Sequence, residues 1–160
     1  MNQVVPFDKK DPRHLEYLKL AIKEAELAYA KGEVPVGVII VKDEKIIAKA
    51  HNSKELTASS IGHAEINAIK EAERYLEDWR LNDCVMYSTL EPCPMCAGAI
   101  LHSRIRSCIY AAKDHKWGAH TSKLNLFKKG VFNHNTEMIF LEQIESEVLL
   151  RSFFKKLRVK

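Results

Sequence analysis

Two short segments of the chain contain the residue types that bind a transition metal. His63 and Glu65 belong to the first segment, and Cys93 and Cys96 belong to the second, which reads Pro-Cys-Pro-Met-Cys. Imidazole nitrogen and thiolate sulfur are zinc ligands in tetrahedral sites, and a site with three protein ligands leaves the fourth position open to water. The residue types and their spacing therefore predict one zinc ion per chain, bound by His63, Cys93 and Cys96.

Glu65 follows His63 by two residues, which places its carboxylate close to the water on the metal rather than on the metal itself. Zinc would lower the pKa of that water from ~15.7 toward ~7. A carboxylate within hydrogen-bond reach can accept the released proton and pass it on. We therefore expect Glu65 to be the catalytic acid and base.

Other interpretations of the two cysteines exist. A lone C-x-x-C pair also occurs in redox proteins, and Cys84 and Cys108 would complete a closed four-cysteine zinc site. Both of these cysteines, however, stand in apolar runs without turn residues, so we expect them to be buried strand residues. A non-catalytic zinc module is a third alternative, and a carboxylate beside an open metal position argues against it.

Length and composition indicate an ordinary globular protein. We expect residues 1–160 to form one domain, because this length can bury a sizeable core. Four cysteines, two of them assigned to metal, indicate a reducing cytoplasm. The first ten residues lack the order of a signal peptide, and the longest apolar run, residues 34–41, is too short to cross a bilayer. No feature of the sequence calls for a membrane or an organic cofactor.

Positive charge is concentrated after the second cysteine of the predicted site. Residues 101–135 contain seven Lys or Arg and one acidic residue, a balance of +6, together with four histidines. The stretch from Arg151 to the C-terminus contains five further cations and no acidic residue. This distribution favours a polyanionic substrate. The alternative is a solvated surface that happens to be basic.

Hydrophobic periodicity predicts an alternation of helices and strands. Such an order is typical of a three-layer α/β sandwich, with a mixed five-stranded sheet flanked by helices. The predicted helices are residues 15–31, 64–76, 94–102 and 144–157, and the predicted strands are residues 36–41, 46–50, 85–90, 105–112 and 138–141.

The chain resembles the cytidine/deoxycytidylate deaminase superfamily, because H-x-E followed by P-C-x-x-C is the signature of zinc-dependent nucleobase deaminases. Within it, the chain is most similar to the bacterial tRNA-specific adenosine deaminases. The resemblance runs from about residue 18 to residue 158 and rests on residues 33–37, Asn52, 63–65, 89–99, 102–105, 113–114, Lys116, 118–119, 133–134 and 153–154.

This resemblance implies the cytidine deaminase-like fold and the deamination of adenosine to inosine at the wobble position of a tRNA anticodon stem-loop. It also implies a homodimer that forms near Ala97-Gly98-Ala99, although small residues equally serve packing against the chain's own sheet. The alternative activity is a deaminase of free nucleobases or nucleotides, such as guanine, cytosine or deoxycytidylate. The substrate-binding residues implied by resemblance are Val34, Asn52, Asp114, Lys116, Asn133 and Phe154, with Phe153 expected in the core.

Some of these residues also have simpler interpretations. Asn52 is also found as a turn residue, and Asp114 and Lys116 also fit a charged surface. The chain departs from the family at Ser59-Ser60-Ile61-Gly62, where Asp-Pro-Thr-Ala is usual, and near the last helix, in residues 141–148. Trp117 is also unusual between a lysine and a glycine.

Overall fold

The described residues form nine helices and strands, which follow the predicted alternation. The computed structural model describes residues 8–159. The predicted lack of a signal peptide concerns mainly residues 1–7, and these residues, like Lys160 of the basic tail, lie outside the described part. The helices are α1 (Arg13–Ala30), α2 (Ala64–Leu76), α3 (Pro94–His102) and α4 (Ile144–Val159), and the strands are β1 (Gly37–Lys42), β2 (Lys45–His51), β3 (Cys84–Ser88), β4 (Ser107–Tyr110) and β5 (Glu137–Phe140).

The strands form a single mixed sheet in the order β2-β1-β3-β4-β5. β1 runs antiparallel to both β2 and β3, whereas β4 runs parallel to both β3 and β5. β2 and β3 therefore point in the same direction and end at the same edge of the sheet. The predicted five-stranded mixed sheet is confirmed.

Helices cover both faces of this sheet. In β1, Val38 and Ile40 pack in a cluster with residues of α2 and α3, whereas Ile39 and Val41 pack in a second cluster with residues of α1. Burial on both faces explains why β1 is continuously apolar rather than alternating. α4 packs against α1. The predicted three-layer arrangement is confirmed.

Two strands are shorter than their apolar runs. β3 ends at Ser88 because the Ser88 hydroxyl bonds to the carbonyl of Leu90 at 2.8 Å, which turns the chain. β4 begins at Ser107 rather than at Ile105, since the Ile105 amide donates to the Ile100 carbonyl and closes the turn after α3. Cys84 and Cys108 lie in β3 and β4 with no exposed surface, which confirms their predicted burial in strands.

The segments that carry most of the predicted site residues meet at one edge of the sheet. This edge contains the start of β1 and the ends of β2, β3 and β4. Gly37 lets α1 approach closely here, because a Cβ on Gly37 would lie 2.0 Å from the Ala21 carbonyl oxygen. Within residues 8–159, no helix has both the length and the apolarity needed to span a membrane.

Candidate metal and catalytic site

The N-termini of α2 and α3 meet at this edge and position the three predicted ligands. His63 immediately precedes α2 and Cys93 immediately precedes α3, both with extended backbones. Cys96 lies in the first turn of α3, which begins with Pro94, a residue suited to that position. Partial positive charge at a helix N-terminus favours thiolates there.

The donor atoms have the spacing of ligands on one tetrahedral ion. His63 Nδ1 lies 3.6 Å from Cys93 Sγ and 3.5 Å from Cys96 Sγ, and all three atoms lie within 4.8 Å of one another. Nitrogen at ~2.1 Å and sulfur at ~2.3 Å from a tetrahedral zinc would stand about 3.6 Å apart. The donor set therefore fits zinc, with three protein ligands and one open position.

Electrostatics within the cluster also favour a cation. The Cys96 thiol, and then the His63 ring, donate to Cys93 and lower the pKa of Cys93 to about 4. The pKa of Cys96 is raised, because its thiol donates to Cys93 and is buried. A metal dication would bind both sulfurs as thiolates and release the Cys96 proton.

Glu65 projects from the first turn of α2 and is only 4% exposed. Its carboxyl group lies beside the Cys96 thiol. Burial, and then the negative charge of Cys93, raise the pKa of Glu65 to about 7. The charge of a bound dication would oppose this rise. Glu65 is thus a buried carboxyl group beside the three candidate metal donors, and its role in proton transfer stays a prediction.

A second buried carboxylate, Glu33, holds the loop that precedes α2. Glu33 accepts hydrogen bonds from the amides of Glu55 (3.2 Å) and Leu56 (2.6 Å). Asn52 lies at the start of this loop and donates from Nδ2 to the carbonyl of Val34 at 3.4 Å. Asn52 Oδ1 also accepts from the amide of Lys54 at 3.2 Å, so Asn52 acts as a turn residue as well as joining the two segments. The contacts of Val34 and Asn52 with substrate stay predictions.

Sequence reasoning missed the role of Glu91, which is 1% exposed and anchors the basic loop after β4. Burial opposes its charge, but hydrogen bonds from Ser122, Thr121 and His120 prevail and lower the pKa of Glu91. Its carboxylate also accepts from the amide of Asp114 at 3.2 Å. In the sequence, the only sign of this role is that an acidic residue stands between an apolar predicted strand and Pro92-Cys93.

Asp114 and Lys116 lie on this anchored loop. Asp114 Oδ1 accepts from the amides of Lys116 (3.0 Å) and Trp117 (3.1 Å), which forms a tight turn. The Lys116 side chain is exposed. The amide of Ala119 donates to the carbonyl of Pro92, the residue before the candidate ligand Cys93, at 2.9 Å. The loop therefore borders the metal site, and the RNA contacts of Asp114 and Lys116 stay predictions.

The last two predicted contact residues lie on other elements, Phe154 on α4 and Asn133 in the loop before β5. Phe153 is buried, as predicted, and packs edge-on against Tyr29 near the end of α1, while Phe154 is exposed beside it. His134 donates to the Ile105 carbonyl before the start of β4, so Asn133 lies at the end of the sheet opposite to Cys93. The fold of one chain does not bring Asn133 to the metal site.

The cluster predicts one zinc ion per chain and two cysteines that do not bind it. Cys84→Ala and Cys108→Ala should retain zinc, because burial raises the pKa of both thiols, that of Cys84 to about 11. Cys93→Ala and His63→Ala should lose zinc, since each removes a donor. Metal analysis of the purified variants measures this. Zinc loss from Cys84→Ala or Cys108→Ala in a folded protein would contradict the ligand assignment.

Comparisons with known proteins agree with this geometry. The chain matches the family described as MafB19-like deaminase over residues 13–158. It is 46% identical over 146 residues to a tRNA-specific adenosine deaminase of Bacillus subtilis, covering 90% of each chain.

Two solved structures share the fold. One comes from a study of A-to-I editing by tRNA:A34 deaminases at the wobble position of transfer RNA, with 36% identity, a TM-score of 0.81 and coverage of 85% of this chain and 99% of the other. The guanine deaminase of Bacillus subtilis is 30% identical, with a TM-score of 0.61 and coverage of 89% and 94%. The chain belongs to the MafB19-like deaminases and, among them, groups with the tRNA-specific adenosine deaminases.

Proposed function

We propose that this protein hydrolytically deaminates adenosine to inosine at the wobble position of a tRNA anticodon loop, with one zinc ion per chain. The observation that carries the chemistry is the buried carboxyl group of Glu65 beside three metal donors that leave one position open. A structural zinc site has four protein ligands and needs no neighbouring carboxylate.

Bound zinc would supply a water of lowered pKa as the nucleophile. Glu65 would accept a proton from this water as its oxygen bonds to C6 of the purine, and would transfer that proton to the adjacent ring nitrogen N1. Glu65 would then take the remaining proton from the hydroxyl group on C6 and give it to the exocyclic amine as the C6–N bond breaks, which releases ammonia and leaves the C6 carbonyl of inosine. One carboxylate can serve all these steps because the atoms lie within hydrogen-bond reach of one another.

The similarity to tRNA-specific adenosine deaminases supports tRNA as the substrate. The distribution of positive charge along this chain also fits a tRNA substrate. Residues 101–135 carry a balance of +6, and their loop borders the metal site. A phosphate backbone is attracted by such a surface and releases counterions on binding. An unpaired loop also allows a base to turn into a closed pocket at lower cost than a duplex does.

The predicted substrate contacts would engage different parts of the RNA on this account. Val34 and Asn52 would contact the target nucleotide, and Asp114 and Lys116 the sugar and phosphate of its neighbour. Phe154 would offer a stacking surface to an unpaired base. Asn133 would reach only RNA that extends to the opposite end of the sheet, or RNA bound to a second subunit.

Incubation with total tRNA, followed by nucleoside analysis for inosine, tests the proposed function. The similarity to a guanine deaminase makes free guanine the most informative competing substrate, and cytosine and deoxycytidylate complete the set. Efficient turnover of any of these without inosine in tRNA would favour the alternative activity.

We infer further that the protein works in the cytoplasm as a single domain. All four cysteines are free thiols, which reducing conditions preserve. The elements from α1 to α4 pack on one sheet, which supports one domain over residues 1–160.

We expect Glu65→Gln to abolish most turnover while zinc and fold are retained. Glutamine has nearly the same shape but cannot accept the proton, and positioned proton transfer contributes roughly 10²–10⁴-fold to rate. Glu71→Gln, a change at an exposed position on the same helix, is the matched control and should behave like wild type. Single-turnover inosine formation and zinc content are measured. Activity of Glu65→Gln within a few-fold of wild type would contradict the mechanism.

We expect Lys116→Glu to weaken deamination of the stem-loop without loss of zinc. Removing one phosphate contact should also reduce the slope of log affinity against log salt by about 1. Lys19→Glu on α1 makes the same charge change on a face away from the site and is the control. Deletion of residues 155–160 should act in the same direction. Equal affinities and salt slopes for Lys116→Glu and Lys19→Glu would remove this loop from the RNA surface.

We propose a homodimer that forms over α3. Ala97 is buried, but a Cβ on Gly98 would meet no atom within 4 Å, so this chain's own packing does not require glycine there. Gly98→Arg should therefore leave the fold intact and block the approach of a second chain. Light scattering should give twice the chain mass for wild type and the chain mass for Gly98→Arg. A wild-type monomer at micromolar concentration would contradict the dimer.

A further inference from the structure

Trp117 is the most exposed aromatic side chain of residues 8–159, with 66% of its surface accessible. The other tryptophan, Trp79, is covered by the guanidinium of Arg80 at 4.5 Å and flanked by that of Arg104 at 6.0 Å. Within the described residues, no ring or cation lies over the Trp117 indole. The fold therefore gains little from an indole at this position.

The backbone that carries Trp117 is nevertheless tightly held. Asp114 accepts from the Trp117 amide at 3.1 Å and, through its carbonyl, from the Gly118 amide at 2.8 Å. A Cβ on Gly118 would lie 2.4 Å from the Glu91 carboxylate, so only glycine allows the loop to pack this closely. The indole is thus presented from a fixed turn, at a low entropic cost of ordering on binding.

The turn also lies beside the reaction centre. Two residues after Trp117, the Ala119 amide bonds to the carbonyl of Pro92, next to the ligand Cys93. Three exposed residues, Lys113, His115 and Lys116, lie within four positions of Trp117 in the sequence. A flat, uncovered aromatic surface among cations, next to a nucleobase deaminase site, is what an unpaired base with its phosphate would recognise.

We propose that the Trp117 indole stacks on the base of an unpaired nucleotide adjacent to the target adenosine, and so holds the RNA loop while the target base occupies the site. This inference deepens the proposed function and rests on it. It makes Trp117 a determinant of which loops are deaminated, since stacking requires an unpaired neighbouring base and purines offer the larger surface.

Three substitutions separate stacking from other roles. Trp117→Phe keeps an aromatic face, Trp117→Leu keeps only apolar bulk, and Trp117→Ala removes both. With an anticodon stem-loop as substrate, Trp117→Ala and Trp117→Leu should lower kcat/KM by about 5- to 150-fold, chiefly through KM. Trp117→Phe should retain most of the activity, and Trp79→Ala should match wild type as the control. Equal activity of Trp117→Leu and Trp117→Phe would overturn the stacking contact.

An abasic site in the RNA identifies the stacked base. Replacing the nucleotide on one side of the target by an abasic residue should lower kcat/KM for wild type but have little further effect on Trp117→Ala. In a Trp79→Phe protein, whose only indole is Trp117, the intact stem-loop should quench tryptophan fluorescence and the abasic stem-loop should not. Equal sensitivity of wild type and Trp117→Ala to abasic sites on both sides would overturn the proposal.

Oligomeric state and total activity distinguish the remaining outcomes. If Trp117→Ala is a monomer where wild type is a dimer, the indole belongs to a subunit interface and the stacking proposal is wrong. If Trp117→Ala forms inosine as fast as wild type, the proposal fails while the proposed function stands. If wild type forms no inosine in any stem-loop, the proposed function fails and this inference fails with it.

Discussion

The meeting of two helix N-termini at one edge of the sheet is the constraint on which the site depends. β2 and β3 both pair antiparallel with β1, so they end at the same edge, and the helices that follow them, α2 and α3, both place their first turns there. Cys93 and Cys96 follow His63 by 30 and 33 positions in the sequence, and this topology brings the donor atoms of all three residues within 4.8 Å of one another. The candidate site therefore lies beyond the carboxyl ends of β2 and β3, which is where ligands bind in other α/β sheets.

Buried carboxylates at this edge have two different roles. The carboxylates of Glu33 and Glu91 accept hydrogen bonds from backbone amides and therefore hold in place the two loops beside the site. Glu65 lies among the metal donors instead, and its pKa is raised to about 7 because burial disfavours its charge. The same residue type thus supplies rigidity where the fold provides hydrogen-bond donors and, on the proposed function, proton transfer where it does not.

The sequence predicted the architecture well because its signals are local. Periodic apolar positions, Gly32 after α1 and the β-branched run of β1 determine element type within a few neighbours. The cluster of His63, Cys93 and Cys96 was predictable because the chemistry and spacing of metal donors are restrictive. The roles of Glu91 and Glu33 were not, since their partners are backbone amides up to 31 residues away. The position of Asn133 also escaped prediction, because it depends on which end of β4 the preceding loop reaches.

If the protein carries out a hydrolytic deamination at a zinc site, water must supply the new oxygen atom of the product. A single measurement tests this directly. The zinc-loaded protein is incubated with an adenosine-containing anticodon stem-loop in water enriched in heavy oxygen, and the product nucleosides are analysed by mass spectrometry. The account predicts inosine at the wobble position that carries one heavy oxygen atom per molecule formed. Wobble adenosine that remains unconverted, or inosine without the label, would contradict it.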